Sequence, residues 1–547
     1  MSLHHSTRGR IGLAIGAFGA SALLLAGCAG GGGNGGSTGG GDASGEPLIV
    51  GTTDKITSID PAGSYDNGSF AVMNQIYPFL FNSAYGTADV TPDIAESGEF
   101  TSPTEYTVKL KEGLKFANGH DLTASDVKFT FERQLAIADP NGPSSLLSGM
   151  ESVDAPDDTT VVFTLKSEND QTWEQILSSP AAPIVDEEVF SADAVTPDND
   201  IVEGKAFAGQ YVIDSYKVNE LISYSPYADY QGALGAPENS GISVKYYADP
   251  SNLKLDIGNG DIDVAYRSLS ATDIDDLSKN DKVKVVDGPG GETRYIVFNF
   301  NTMPYGATTS EADAAKSLAV RQAAADLIDR DELSTDVYKG TYTPLYSFVP
   351  QGLTGAAEPF KELYGDGSGA PDVDKAKSTL EAAGVTTPVE LNLQYNGDHY
   401  GPSSGDEYAA VKSQLEEGGL FTVNLQQTEW VQYQKDRTAD VYPAYQLGWF
   451  PDYSDASNFL VPFFVKDNFL ANHYDNPQVQ ELLATQASET DKGKREEELN
   501  QIQQLVAQDI STLPLLQGTQ IAIVGADVDG ATLDGSFKFR YAPLNKQ

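Results

Sequence analysis

The sequence predicts a mixed α/β protein built in two or more lobes. Stretches with a two-residue apolar period alternate along the whole chain with stretches of helical period, the pattern of mixed α/β architecture rather than of a sandwich or a bundle. From Pro47 to the end there are 501 residues, more than one compact core usually holds. No repeat period interrupts the alternation.

The elements follow in order. Arg8 and Arg10 make a positive n-region, and Ile11 to Leu25 is a run of apolar and small residues, the length of a secretory leader and short for a membrane span. The run ends in Leu24-Leu25-Ala26-Gly27-Cys28, the pattern of a lipobox, in which the cysteine is diacylated and the leader (residues 1–27) is cut just before it. Cys28 is the only cysteine, so an intrachain disulfide is excluded. Two acyl chains are also what stable anchoring takes. Residues 28–46 are rich in glycine and serine and predict a flexible tether.

Strands are expected at Thr104–Leu110 and Thr160–Leu165. Between them Thr123-Ala-Ser-Asp126 is a capping signal, opening a helix striped by Val127, Phe131 and Leu135. A further helix begins near Glu311 and carries Val320, Ala323, Ala324, Leu327 and Ile328 on one face. Another runs from Asp372 and stops at Gly384. Residues 389–395, a helix from Asp406 to Gly418 and a strand from Phe421 to Gln426 form a β-α-β unit, which favours a parallel pair. Leu499, Ile502, Leu505 and Val506 mark a late helix, and Gln520 to Val524 a last strand.

Charge narrows the partners. Without the leader, 79 acids stand against 33 bases, a net of −46. That opposes nucleic acid and anionic lipid as partners. It suits a solvated exported protein and, weakly, a cationic or zwitterionic ligand.

Several runs resemble one family, the extracellular solute-binding proteins of peptide and nickel ABC importers. Ser58-Ile59-Asp60-Pro61 with Asn74-Gln75-Ile76-Tyr77 is similar to its "LDP…IYE" segment, and Thr91 to Ser97 to "P-x-LAES". Leu110 to Gly119 resembles "LRxGVKFHDG", and the run from Leu122 continues it as "LTAxDVxFxxER". Val320 to Arg330 resembles "VRQALxxAIDR", with Tyr338-Lys339-Gly340 as its sequel. The resemblance spans about Leu48 to Tyr541, and six runs in the family's order make it specific. It implies a two-lobed fold like that of periplasmic binding proteins, of the large type with an extra domain and a hinge between lobes. Residues 47–90, 201–298 and 516–547 would form the first lobe, 91–200 the extra domain and 299–515 the second lobe. Strands crossing near 299 and 515 would be the hinge.

A receptor of this kind needs a roomy cleft with a few placed polar groups and apolar wall. Leu447-Gly448-Trp449-Phe450-Pro451-Asp452-Tyr453-Ser454-Asp455 resembles the family's "GWxxDYxDP" loop. On residue types alone the segment reads as a surface turn. The resemblance instead gives Asp452 the ligand's α-ammonium, a pairing that suits a carboxylate, with Trp449 and Tyr453 as wall. Asp455 is expected to cap or to be solvated, Asn458 and Phe459 to pack. Tyr65, Asp66 and Asn67 fall where peptide-binding members run an extended segment beside the peptide, whose strand edge would read main chain. A ligand carboxylate would want a cation, and Arg267, Arg294, Lys339 and Arg437 are all available.

Enzyme chemistry finds little support. His120, His399 and His473 have no metal-ligand spacing, and no nucleophile elbow or phosphate loop is present. Asp527-Val528-Asp529-Gly530 matches only a fragment of a calcium loop and more often makes a turn. No metal or cofactor is expected. The favoured expectation is a monomeric, lipid-anchored receptor that closes over a small solute, most simply a peptide, and docks on permease subunits driven by their ATPases. The alternatives are a secreted lipoprotein hydrolase using a carboxylate pair, or the same fold holding an oligosaccharide or a metal complex.

Overall fold

The structure, a computed structural model, describes residues 45–547 apart from Ser268, Asp398 and Pro402. The expected leader, Cys28 and nearly all of the expected tether lie outside the described residues.

An eleven-stranded sheet runs through the molecule. Its strand order is Phe421–Gln427, Val389–Tyr395, Ala444–Trp449, Val283–Phe298, Thr512–Gly525, Val264–Tyr266, Leu48–Thr52, Ile242–Tyr246, Leu221–Pro226 and Tyr211–Lys217, with Tyr342–Pro344 paired to Thr512–Gly525 off that path. The β-α-β unit is present as expected: Val389–Tyr395 runs parallel to Phe421–Gln427, from Val389↔Phe421 to Tyr395↔Gln427, with the helix Ser404–Glu416 between them. A separate four-stranded antiparallel sheet comprises Ala95–Ser102, Glu105–Leu110, Thr160–Leu165 and Met150–Asp157, in that order.

The two long strands at the middle of the main sheet, Val283–Phe298 and Thr512–Gly525, pair antiparallel along their whole length. Their register breaks between Pro289 and Thr293, opposite Gln517 to Thr519. On one side of the break, Ala522 and Val524 enter a core with Leu48 to Tyr77, residues between 185 and 264, and the C-terminal Leu533 to Leu544. On the other side, Tyr295 to Phe298 and Leu513 to Leu516 enter a second core whose buried residues come from 295–516, with Ala88 and Phe537 packed on its margin. A third core lies under the four-stranded sheet and takes Phe79, Leu80 and Phe81 as well as residues up to Ala208. The crossing between cores thus falls between Pro289 and Thr293 on one strand and between Gln517 and Thr519 on the other. The expected strand Gln520–Val524 is only the far half of Thr512–Gly525, whose near half Pro514 and Gly518 disguise.

Local chemistry explains the helix boundaries. Thr123 and Asp126 form the expected capping box for Ala124–Ile137. Val127 and Phe131 are fully buried, but Leu135 is exposed. Eight residues at 3.6 per turn carry Leu135 roughly 80° around the helix from Val127, off the packed face. Asp313 caps Ala314–Leu327 by accepting the N–H groups of Ala315 and Lys316, so that helix starts after Glu311. Asp372 does the same for Val373–Ala382. No helix among the described residues is long and apolar enough to cross a membrane.

Candidate functional site

A cavity of about 560 Å³ lies at the register break of the two long strands. Gly290, Gly291 and Glu292 on one strand and Gly518 to Gln520 on the other line it. The absence of side chains there is a packing requirement at Gly290, where a Cβ would sit 1.9 Å from the carbonyl oxygen of Gly518. The three cores supply much of the remaining wall, including Tyr65 to Asn67 and Phe70, Ser178, and Phe450 to Ser454, and a fourth, smaller core beside Arg267 supplies Ala265, Leu269, Ile274 and Ile523.

Asp452 lies on this wall, just past the end of Ala444–Trp449. Its carboxylate is built in from both sides. The Tyr65 hydroxyl donates to Oδ1. Asn458 Nδ2 donates to Oδ2 at 3.0 Å, while Asn458 Oδ1 accepts the backbone N–H of Asp452 at 3.0 Å and the indole N–H of Trp449 at 2.8 Å. Burial raises the Asp452 carboxyl above the usual carboxylate range, opposed by the bonds from Tyr65 and Asn458. A ligand cation would reverse that balance by favouring the charged form. The loop is pinned from behind by Asp455, which accepts Ser457 N–H at 2.8 Å and pairs with both ends of the Arg495 guanidinium at 2.7 and 2.8 Å.

Five of the six expected ligand residues, Tyr65, Asp66, Asn67, Asp452 and Tyr453, line the cavity. Tyr453 also packs against the core under the four-stranded sheet, so this loop touches a second core. Trp449 is absent from the lining. Its ring packs edge-on against Phe463 and Phe469, 5.2 and 5.7 Å between centroids, and its N–H is held by Asn458. Phe450 and Pro451 take the wall position instead. The expected extended strip at Tyr65–Asn67 is a helix start. Asp66 is the N-cap of Asn67–Ile76 and accepts Ser69 N–H at 2.8 Å, so no strand edge is offered there. Asn458, expected only to pack, orients Asp452; Phe459 is wholly buried and does pack.

Of the four cations put forward, Lys339 and Arg437 lie away from the cavity. Lys339 donates to the carbonyl of Asp336, and Arg437 to those of Phe469 and Leu470. Arg267 and Arg294 are on its wall, and so is Lys538, which the sequence reading missed. Burial, and then the neighbouring Arg540, push the Lys538 ammonium well below the usual lysine range. Three carboxylates (Asp66, Glu292, Asp452) thus face three cations in the lining of a chain whose formal net charge is −44.

The family model for bacterial extracellular solute-binding proteins, family 5, matches residues 89–470. The chain belongs to that family. This solute-binding protein is 26% identical over 495 residues to the Escherichia coli protein named "Probable D,D-dipeptide-binding periplasmic protein DdpA", covering 88% of this chain and 90% of that one. Among solved structures it superposes on HbpA2 from Haemophilus parasuis with a TM-score of 0.79 at 20% identity, covering 92% of this chain and all of the other. On Helicobacter pylori DppA in complex with the peptide STSA the TM-score is 0.69 at 19% identity, with 91% and 98% covered. These likenesses show the two-lobed fold of periplasmic binding proteins. In the solute-binding protein the three histidines of the folded region are engaged locally: His120 with Asp186 at 2.9 Å, His473 with Asp440 at 2.7 Å, and His399 stacked on Trp430 at 3.8 Å. Among the described residues no group of three or more histidine, cysteine or acidic side chains is placed to hold a metal ion.

Proposed function

We propose that this solute-binding protein captures a peptide with a free amino terminus in the cavity at the register break and delivers it to the permease of an ABC importer. The observation that carries the reading is Asp452, a desolvated carboxylate on the cavity wall whose position is fixed by Asn458 and which has no cation beside it among the described residues. An α-ammonium would complete it with a charge-assisted bond. The named ligands of DdpA and of the DppA complex support the same class. On this reading, 47–90, 201–298 and 516–547 act as one lobe, 299–515 as the other and 91–200 as an added domain. The lobes bend at the strand break, and ligand favours the closed arrangement to the extent that it binds it better. Cys28 carries the lipid that holds the monomer at the outer face of the cytoplasmic membrane. ATP hydrolysis belongs to the partners, and the chain itself performs no catalysis.

Mass spectrometry of small molecules released from natively purified protein is expected to find peptides. In calorimetry, Asp452→Asn is expected to weaken free-amine peptides by about 2 kcal/mol, roughly 30-fold, the low end for a charge pair that keeps some solvent. N-acetylated peptides should bind the parent and the variant alike. An unchanged affinity for free-amine peptides would remove Asp452 from the site.

A further inference from the structure

After the strand Thr160–Leu165, the segment from Asn169 to Pro180 runs beside the cavity, and its Gln175, Ser178 and Pro180 line the wall. The start of this segment is shaped locally. Asn169 sits at φ +50°, a left-handed turn, and its N–H donates to the carbonyl of Pro103 at 2.6 Å. Asp170 Oδ1 accepts the N–H and the hydroxyl of Thr172 at 2.9 and 2.7 Å. Trp173 then enters the core under the four-stranded sheet, wholly buried. The turn is therefore fixed to that core, and the N–H of Gln171 is left to bond elsewhere.

That N–H donates to the carbonyl of Ala487 at 2.9 Å. Ala487 caps the helix Pro477–Gln486, whose Val479 and Leu483 are buried in the 295–516 core. The last carbonyls of a helix have no partner within it, so the bond satisfies one of them. From here a run of bonds reaches the loop of Asp452. The backbone and side-chain oxygens of Gln486 accept Arg495 Nε at 3.2 and 3.3 Å, and the side-chain oxygen also accepts the Ser457 hydroxyl at 3.1 Å. Arg495 in turn grips Asp455, three residues from Asp452. Tyr453, between those two aspartates, packs against the core under the four-stranded sheet. The same two cores thus meet twice, at Tyr453 on the cavity wall and at Gln171 and Ala487, neither of which lines it.

We propose that the added domain is the clasp of this receptor: the Gln171–Ala487 bond forms as the lobes close, breaks as they open, and slows the release of a ligand it never touches. The inference rests on the closing-receptor reading above and gives the added domain a task within it. One backbone hydrogen bond contributes modestly, which suits a contact that must open in every cycle. Because the clasp and the loop of Asp452 belong to one bonded network, ligand binding and clasp formation favour each other by the same factor. A contact outside the cavity adds to the closed form whatever the ligand is. The clasp therefore sets residence time without choosing between ligands.

The test combines Gln171→Cys with Ala487→Cys in the full chain. A backbone bond between the two residues puts their α-carbons about 5.5 Å apart, within reach of a disulfide. Each single variant controls for pairing with Cys28. Small-angle scattering without ligand is expected to find the oxidised form compact and to find expansion on reduction with dithiothreitol. With trialanine as the probe, oxidation after loading should slow peptide release at least tenfold, and dithiothreitol should restore the rate of the reduced protein. Amide hydrogen exchange in the parent needs no variant: the N–H of Gln171 should exchange at least tenfold more slowly with trialanine bound. Equal dimensions of the oxidised and reduced forms overturn the clasp. So do cysteines that fail to pair, release that the disulfide leaves unchanged, or exchange at Gln171 that bound trialanine leaves unchanged. Expansion on reduction without any binding of trialanine keeps the clasp and counts against the peptide reading alone.

Discussion

Replacing Arg133 with methionine should damage the fold far from the cavity, and the size of the effect can be worked from the structure. Arg133 lies in the helix Ala124–Ile137 and meets Asp60 with both arms of its guanidinium, at 2.8 and 2.5 Å, with the two side chains 3% and 0% exposed. The same guanidinium donates to the carbonyls of Ser191 and Ala194, and Asp60 accepts the N–H groups of Ala62 and Thr196. Methionine keeps most of the volume but leaves Asp60 a buried carboxylate without its counter-charge. Breaking one partner of such a pair costs about 3–5 kcal/mol, a large part of the roughly 5–15 kcal/mol that holds a domain together. Asp60→Leu should cost a similar amount. The double variant should lose about 2 kcal/mol less than the sum of the singles, because neither charge is then stranded. Trp173 is wholly buried in the core beneath this helix and reports on it directly, so urea unfolding followed by its fluorescence, with Trp430 and Trp449 replaced by phenylalanine, measures all three. Additive losses, or single variants within about 1 kcal/mol of the parent, would refute the assignment of the pair as a buried, mutually dependent unit.

Other outcomes follow from the same structure. Asn458→Ala removes the amide that holds both the carboxylate and the backbone of Asp452, and should weaken peptide binding about tenfold with the fold retained; calorimetry beside a thermal melt checks it, and full affinity would show that the loop orients itself. Carboxyl NMR should find Asp126 titrating near 6, pushed up by burial, and Asp157 near 2, pulled down by its bonds from Thr160 and Thr159. Since Asp126 binds its proton more tightly folded than unfolded, its contribution is complete below about pH 4 and is lost as pH rises through 6. Asp157 has the opposite sign, with a contribution present above about pH 4 and lost as pH falls through 2. Unshifted midpoints would contradict both. Gly290→Ala sets a methyl against the backbone of Gly518, so it should destabilise the protein by about 1–3 kcal/mol. It should also abolish ligand-driven compaction in small-angle scattering; a variant that compacts like the parent would move the bend elsewhere.

The sequence made the local signals legible and left the distant ones hidden. Thr123 and Asp126 announce a helix start because a capping box acts over three residues, and the alternation at 389–395 announces a strand because its inward side chains pack on one face. Asp60 and the arginine closing the "LTAxDVxFxxER" run were both visible as parts of a familiar pattern. That they bond to each other across 73 residues was not, since no periodicity spans such a gap. The site shows the same division. Asp452 could be placed through the resemblance of its loop, but which flanking aromatic faces the cavity depends on where the strand Ala444–Trp449 ends, and Trp449 proves to be the last residue still packed on the core. Asn458 and Lys538 were missed because an asparagine beside a helix start and a lysine in an irregular tail have many innocent uses. Only their partners distinguish them.

The core that buries Leu48 and Val50 also needs Ala522, Val524, Phe539, Tyr541 and Leu544. Its first strand pairs with Ile242–Tyr246 and Val264–Tyr266, but the core beneath it is complete only once the C-terminal residues have been made, and the long sequence separation makes that docking slow. The core under the four-stranded sheet is complete by Ala208, whereas the core that holds the first strand is not, and removing the last twenty residues should leave that strand soft and open to proteases while the 295–516 core still forms.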